Sequence, residues 1–367
     1  VEASVIDVLT SGHYVGDCRA LLRQLPDGCV QTGVTSPPYW GHRDYGVDGQ
    51  LGLEPTPAQY VANMVEVFRE FHRVLRDDGT LWLNLGDSYV TNPRGPNGAS
   101  SSTLSGTPDS ERRQKRWAAA GRAGTPRFDK ERQRAIRALA HPNNHSKDPK
   151  ARGRSHAVAA ARGVRGSGLK HKDLVGIPWR VAFALQDDGW WLRDDIIWHK
   201  PNPMPSPIDD RTTKAHEYVF LLSKSATYYY DATAIAEPSK EAGRLVPLGE
   251  KSFARRQMEG VGRGTDDRDE YEVPSTRNCR SVWTIATTGY DGAHFATMPP
   301  ALAERCVLAG SRPGDLVLDM FFGSGTTGEV AEKHGRRWIG FDINPEYEKL
   351  QRERTAQRSL VLGGGGT

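Results

Sequence analysis

Apolar positions along this chain recur with two different periods. Between Thr56 and Leu75 they fall three and four residues apart: Tyr60, Val61, Met64, Val65, Val67, Phe68, Phe71, Val74 and Leu75. That spacing predicts one face of an α-helix, with Thr56 as N-cap and Pro57 at the first helical position. After an Asp78-Gly79 turn the period shortens to two. Leu81, Leu83 and Leu85 alternate in "TLWLNLGD" (Thr80–Asp87), which reads as a strand. "HYVGD" (His13–Asp17) and "VQTGVTS" (Val30–Ser36) are shorter strand candidates that end in turn chemistry. Leu174–Pro203 predicts a helix and then a strand, and "EYVFLLSK" (Glu217–Lys224) a further strand. The C-terminal part predicts a helix around Pro300–Ala309, the strand "LVLDMF", a glycine-rich turn, a helix, the strand "RWIGFDI" and a last helix. Helices alternating with short apolar strands imply an α/β fold with a mainly parallel sheet. No internal repeat is visible.

Two stretches break the pattern, Thr91 to about His171 and Ser239 to about Cys279. In the first, Gly, Ser, Pro and Arg dominate, and only "DKERQRAIRALA" (Asp129–Ala140) predicts a short basic helix. Composition matters here. Between Thr91 and Lys172 there are 19 Lys/Arg against five Asp/Glu, whereas the whole chain carries only +4, so the remainder is net acidic. Such an asymmetry suggests a polyanion-binding segment grafted onto a neutral-to-acidic body. The plainer reading is a solvated basic loop without a specific role. No window approaches the ~18 uninterrupted apolar residues of a membrane-spanning helix, and no secretory signal pattern opens the sequence. Cys18, Cys29, Cys279 and Cys306 are widely separated, with no C-x-x-C pair, which argues against a metal site or a disulfide framework. Free thiols in a reducing, cytoplasmic setting fit best.

The densest chemistry lies in "DLVLDMFFGSGTTGEVAEKHGRRWIGFDINPEY", Asp315–Tyr347. A buried strand runs into Gly323-Ser324-Gly325, then a helix, then a second strand ending at Asp342. Small residues at such a turn let backbone N–H groups and a helix N-terminus approach a ligand, and the terminal acid is placed for a ribose diol. Gly323 to Gly328 also satisfies G-x-G-x-x-G, so a nicotinamide reading stays open. Against it, Asp319 sets a carboxylate at the turn, where it repels a pyrophosphate and suits a cationic or amino-acid group. No G-x-x-x-x-G-K-[ST] loop occurs. Far upstream, "TSPPYW" (Thr35–Trp40) leaves a strand through two prolines, which fix φ and remove two backbone donors. Alone it reads as a rigid turn.

Together, "TSPPYW" and "DMFFGSGTT" resemble the amino-methylating DNA methyltransferases, with the tetrapeptide-first order of that family's β-group. "YVGDCRALLRQLPDGCVQTGVTSPPYWGHRDYG", "LGLEPTPAQYV", "IPWRVAFALQDDGWWLRDDIIWHKPNPMP" and "HEYVFLLSKS" extend the resemblance over most of the chain. It implies a class I, Rossmann-like fold that uses S-adenosyl-L-methionine and methylates an exocyclic amine of a flipped base in double-stranded DNA. Ser36, Pro37, Pro38 and Tyr39 are then catalytic. Ser36, through its hydroxyl or its backbone, and the Pro37 carbonyl accept from the amine, Pro38 rigidifies the loop, and Tyr39 offers a face to the base. Cofactor binding falls to Asp17 at the adenine end, Thr35, His294 and Phe295 in "HFATMPPALAERC", Asp319, Phe321 and Phe341 near adenine (both equally candidates for the core), Gly323, Ser324, Gly325, Thr326, Thr327, and Asp342. Trp198 and the following "HKPNP" are candidates for the base pocket or the core. None of the cysteines follows a proline, which disfavours cytosine-C5 chemistry. Serine rather than aspartate at position 36 leans toward cytosine-N4, with adenine-N6 the alternative and a non-catalytic DNA-binding relative a remoter one.

The expected organisation is a catalytic half (1–90), a basic target-recognition insertion (91–172), a continuation of the core (173–238), a second variable insertion (239–285), a cofactor half (286–357) and a tail (358–367). Arg112, Arg113, Lys115, Arg116, Arg132, Arg134, Arg152 and Arg154 are the expected DNA contacts. The resemblance implies a bacterial or phage-encoded cytoplasmic protein and leaves room for a homodimer and a cognate restriction endonuclease.

Overall fold

The computed structural model describes residues 6–42, 45–90, 168–203, 205–206, 208–247, 270–287 and 298–356. The eight expected DNA contacts, His294, Phe295 and the basic helix 129–140 lie outside the described residues.

Along the chain come β1 (Gly12–Val15), α1 (Cys18–Leu22), β2 (Val30–Thr35), α2 (Pro57–Val74) and β3 (Leu75–Leu85). They are followed by α3 (Ile177–Asp187), β4 (Trp191–His199) and β5 (His216–Ser223). Four short strands, β6 (Glu237–Pro238), β7 (Leu245–Pro247), β8 (Glu270–Glu272) and β9 (Thr276–Arg277), form two small ribbons, β6 with β9 and β7 with β8. β10 (Val282–Thr284), α4 (Pro300–Gly310), β11 (Leu316–Asp319), α5 (Thr326–Lys333), β12 (Arg337–Asp342), a 3-10 turn (Pro345–Tyr347) and α6 (Glu348–Ala356) complete the described elements.

The main sheet has eight strands in the order β1-β12-β11-β2-β3-β5-β4-β10. β5 is antiparallel to both β3 and β4, and the other pairings are parallel. Every residue of β2 and of β11 is buried. Central parallel strands covered on both faces have no solvated side, so no apolar–polar alternation marks them.

α2 forms where its periodicity predicts. Thr56 Oγ1 accepts the Gln59 N–H at 3.2 Å, and Tyr60, Met64, Val67, Phe68, Phe71 and Val74 are all buried. β3, however, begins at Leu75 rather than after the Asp78-Gly79 turn. Its pairing with β2 jumps from Val30↔Leu75 to Thr32↔Thr80, so the turn residues survive as a bulge inside the strand.

From β11 the chain proceeds through α5 to β12 on one side, and from β2 through α2 to β3 on the other. The adjacent pair β11–β2 is therefore the topological switch point, and its carboxyl ends open a crevice. Asp319 closes β11 and Thr35 closes β2. Among the described residues no helix is long and apolar enough to cross a membrane.

Candidate active site

The crevice at the switch point is a cavity of about 850 Å³. Pockets for small ligands run about 300–1,000 Å³, so this one has room for a nucleoside cofactor and part of a second ligand. Ser36, Pro37, Pro38 and Tyr39 line it, as do Asp17, Asp319, Phe321, Gly323, Ser324, Thr326, Thr327 and Asp342. Residues almost 300 positions apart in sequence thus face one space.

The loop after β2 is held from behind. Tyr60 Oη donates to the Pro38 carbonyl at 2.9 Å, and Trp40, 4% exposed, donates its indole N–H to the Glu54 carbonyl at 2.9 Å. The prolines restrict the loop's torsions, and these bonds fix its position relative to α2. Tyr39 is seated by close packing, since a methyl at Gly86 would lie 2.4 Å from Tyr39 Cε2. Gly86→Ala is therefore expected to displace the ring and lower turnover by about 10- to 100-fold. Cofactor affinity should stay within about threefold, because the turn that follows β11 is untouched. Steady-state kinetics beside calorimetry checks both halves of that expectation.

Asp319 joins the two halves. Its carboxylate is 5% exposed and accepts Thr35 Oγ1–H at 2.6 Å, Thr327 Oγ1–H at 2.7 Å and the Phe321 N–H at 3.0 Å. Burial nonetheless pushes its pKa up to about 6. The turn behind it needs left-handed backbone at Gly323 (φ 52°) and Gly325 (φ 85°), which glycine adopts without a Cβ penalty. Asp342 at the end of β12 accepts the Gly323 N–H at 2.7 Å and the Asn344 N–H at 2.8 Å. Burial raises its pKa to about 6 as well. Asp17 caps α1 through the Arg19 N–H at 2.9 Å and pairs with the Arg19 guanidinium.

The donor set fits S-adenosyl-L-methionine better than a dinucleotide. Three carboxylates, Asp17, Asp319 and Asp342, line the cavity around the glycine turn. Arg354 reaches Ser324 Oγ there at 2.8 Å without lining the cavity and is paired with Glu329. The lysines that line the cavity, Lys200 and Lys214, belong to the β4–β5 side of the sheet. A pyrophosphate needs the opposite arrangement; a ribose diol and a cationic amino-acid end do not.

Not every expected residue faces the cavity. Phe341 does not line the cavity: it is 0% exposed and packs edge-on to Tyr14 at 6.3 Å, so it belongs to the core. Thr35 and Gly325 likewise stand behind the wall, Thr35 acting through Asp319 and Gly325 shaping the turn. Trp198 does line the cavity yet is 4% exposed, with its indole N–H given to the Ile285 carbonyl at 2.9 Å. It is thus a core residue with one edge at the cavity.

Sequence reasoning missed Asn84, Asp87 and Glu217, all in the cavity wall. Asp87 accepts the Gly176 and Ile177 N–H groups at 3.0 Å each and so caps α3 across a long gap in sequence. Asn84 donates to the Tyr218 carbonyl at 3.0 Å, and Glu217 accepts Tyr39 Oη–H at 2.8 Å. The one available signal was a polar residue inside a strongly apolar strand, Asn84 in "LWLNL" and Glu217 ahead of "YVFLL".

The sheet order, the crevice between β11 and β2, and the glycine turn define the fold of class I S-adenosyl-L-methionine-dependent methyltransferases. Residues 30–353 match the DNA methylase family of N6/N4 methyltransferases, and the chain belongs to that family. It is 40% identical over 347 residues to the type II methyltransferase M.Cfr9I of Citrobacter freundii, covering 93% of this chain and 88% of that protein. It is also 40% identical over 344 residues to M.SmaI of Serratia marcescens, covering 94% and 90%. Among solved structures it resembles the PvuII DNA methyltransferase (cytosine-N4-specific), with a TM-score of 0.54 and 19% identity over 94% of this chain and 86% of that one. A putative DNA modification methylase from Thermus thermophilus, solved with S-adenosyl-L-methionine, gives a TM-score of 0.51 and 22% identity over 95% and 93%. At such identities the likeness is one of fold.

Proposed function

We propose that this DNA methylase transfers a methyl group from S-adenosyl-L-methionine to the exocyclic N4 amine of cytosine in double-stranded DNA, with the base rotated out of the helix. The observation that carries the reading is the shared cavity: Ser36–Tyr39 line the same space as Asp319, the glycine turn and Asp342.

When bound, S-adenosyl-L-methionine supplies a sulfonium methyl, an electrophile that an amine attacks in line without an enzyme-bound intermediate. The protein's task is to orient the nitrogen lone pair. Ser36 Oγ and the Pro37 carbonyl accept the amine N–H groups, which draws the nitrogen out of conjugation with the ring and stabilises the charge that develops. The prolines hold those acceptors in place beforehand. Tyr39 gives the flipped base a face to rest on. Asp342 receives the ribose diol, and Asp319 keeps Thr35, the neighbour of Ser36, in register with the turn. The amine proton leaves to water.

Ser36 favours cytosine over adenine, since serine at the head of this tetrapeptide is the cytosine-N4 tendency and aspartate the adenine-N6 one. The type II designation of the relatives supports a place in a restriction-modification system with a cognate endonuclease. Nucleoside digestion and mass spectrometry of DNA methylated by the pure protein should give N4-methylcytosine. N6-methyladenine alone would overturn the base, and no methylated nucleoside would overturn the activity.

A further inference from the structure

Of the carboxylates in the cavity wall, Asp17 caps α1 and Asp87 caps α3, whereas Glu217 reaches Tyr39. Glu217 lies in β5, with its side chain 18% exposed. Its Oε2 accepts Tyr39 Oη–H at 2.8 Å and Asn84 Nδ2–H at 3.3 Å, and its Oε1 is paired with the Lys200 ammonium. Lys200 in turn lies over the Trp198 ring, 4.2 Å from its centroid. Tyr39 Oη is also 3.4 Å from Ser36 Oγ. A continuous path therefore runs Ser36–Tyr39–Glu217–Lys200.

The direction of that path is dictated by its far end. An ammonium only donates and a carboxylate only accepts, so Tyr39 must give its proton to Glu217. The competing acceptor, Asn84 Oδ1 at 3.2 Å from Tyr39 Oη, is neutral and farther away. With its proton committed, the Tyr39 oxygen is left as an acceptor, and Ser36 donates to it. The lone pairs of Ser36 Oγ are then the part of the hydroxyl that remains for a ligand. Burial, reinforced by the Glu217 charge, raises the Tyr39 pKa well above its ordinary value, which keeps that phenol protonated.

We propose that Glu217 is a positioning residue that sets the polarity of the Ser36 hydroxyl through Tyr39, so that serine presents an acceptor and not a proton to the target amine. The inference rests on Ser36 facing that amine, as in the function proposed above. Asn84 cannot take this part, because its amide offers a donor as readily as an acceptor. Glu217→Gln reverses the arrangement. Lys200 holds the amide oxygen, the NH₂ turns to Tyr39, and the phenolic proton is driven toward Asn84 or Ser36.

The test is a double-mutant cycle on the full chain, with S-adenosyl-L-methionine and a DNA substrate that the wild type methylates. Glu217→Gln is expected to lower kcat by about 10- to 100-fold, the range for a lost hydrogen bond to a charged group, while cofactor Kd stays within about threefold. Tyr39→Phe should lower kcat by a similar factor. The double variant should lose no more than the worse single one, because both remove the same link. Losses that multiply would overturn the inference, since Glu217 would then act independently of the Tyr39 hydroxyl. An unchanged kcat in Glu217→Gln would overturn it too. Should that variant melt early because Lys200 is left unpaired, the same cycle in a Lys200→Met background is read by the same criteria. A wild type that methylates no DNA would instead overturn the proposed function, so the two failures are distinguishable.

Discussion

Ser36→Ala is expected to reduce turnover by about 100-fold or more while cofactor affinity changes by no more than about threefold, since preorganised polar contacts to developing charge are typically worth that much. The asymmetry follows from the neighbouring residues. Thr35, not Ser36, is the side chain bonded to Asp319, at 2.6 Å, so removing the serine hydroxyl leaves the link to the glycine turn intact. Ser36 contacts Tyr39 Oη only at 3.4 Å, too long to be a main support of the loop. The loop is held instead by Tyr60 on the Pro38 carbonyl and by the buried Trp40. Folding should therefore be unaffected, with a melting temperature close to that of the wild type. Single-turnover methylation and calorimetry on the same preparation check the expectation. Equal turnover in both proteins would remove Ser36 from the site.

Asp319→Asn should show the opposite profile, with S-adenosyl-L-methionine affinity falling by about 10- to 100-fold. The carboxylate accepts from Thr35, Thr327 and Phe321 with both oxygens. Asparagine keeps one oxygen, which the non-rotatable Phe321 N–H claims together with Thr35. The amide NH₂ is then turned on Thr327, whose hydroxyl retains the Val34 carbonyl at 3.3 Å as an alternative acceptor. Stability should drop by about 1 kcal/mol, one net hydrogen bond, while the negative charge beside the turn is lost.

The pH dependence follows from the same residue. Burial raises both Asp319 and Asp342 to about 6 from an ordinary 3.8. Between those values the native state holds more protons than the unfolded chain. The contribution of these groups to stability therefore declines as pH rises through the window from about 4 to 6. Affinity for a cationic cofactor runs the other way and strengthens as the carboxylates ionise. Calorimetric Kd should be weaker at pH 5 than at pH 7.5 in the wild type, and Asp319→Asn should flatten that slope. An identical slope in the variant would assign the dependence to Asp342 or elsewhere.

The legible parts of this protein are those where chemistry is local. A helix such as α2 announces itself because burial repeats with its own pitch, and Thr56 and Pro57 mark its start. The glycine turn between β11 and α5 is visible for a similar reason: few residues tolerate its backbone, and Asp319 and Asp342 flank it at strand ends. The two prolines after β2 declare a rigid loop. From these the class of fold and both halves of the candidate site could be read.

What lay beyond the sequence was set by contacts between distant strands. Whether an aromatic beside the turn faces the cavity or the core depends on where the chain leaves the sheet: Phe321 lies past the end of β11 and lines the cavity, whereas Phe341, inside β12, is sealed against Tyr14. Glu217 looks like the polar edge of an apolar strand until β5 inserts between β3 and β4 and carries it to Tyr39. Local order thus followed from the sequence by itself, because backbone torsions and helical or strand periodicity are decided by near neighbours. The partnership of Ser36 with Tyr39 and Glu217, and of Thr35 with Asp319, was decided only by the tertiary structure. Hydrogen bonds of a few ångströms join residues 178 and 284 positions apart there, and no local pattern encodes that juxtaposition.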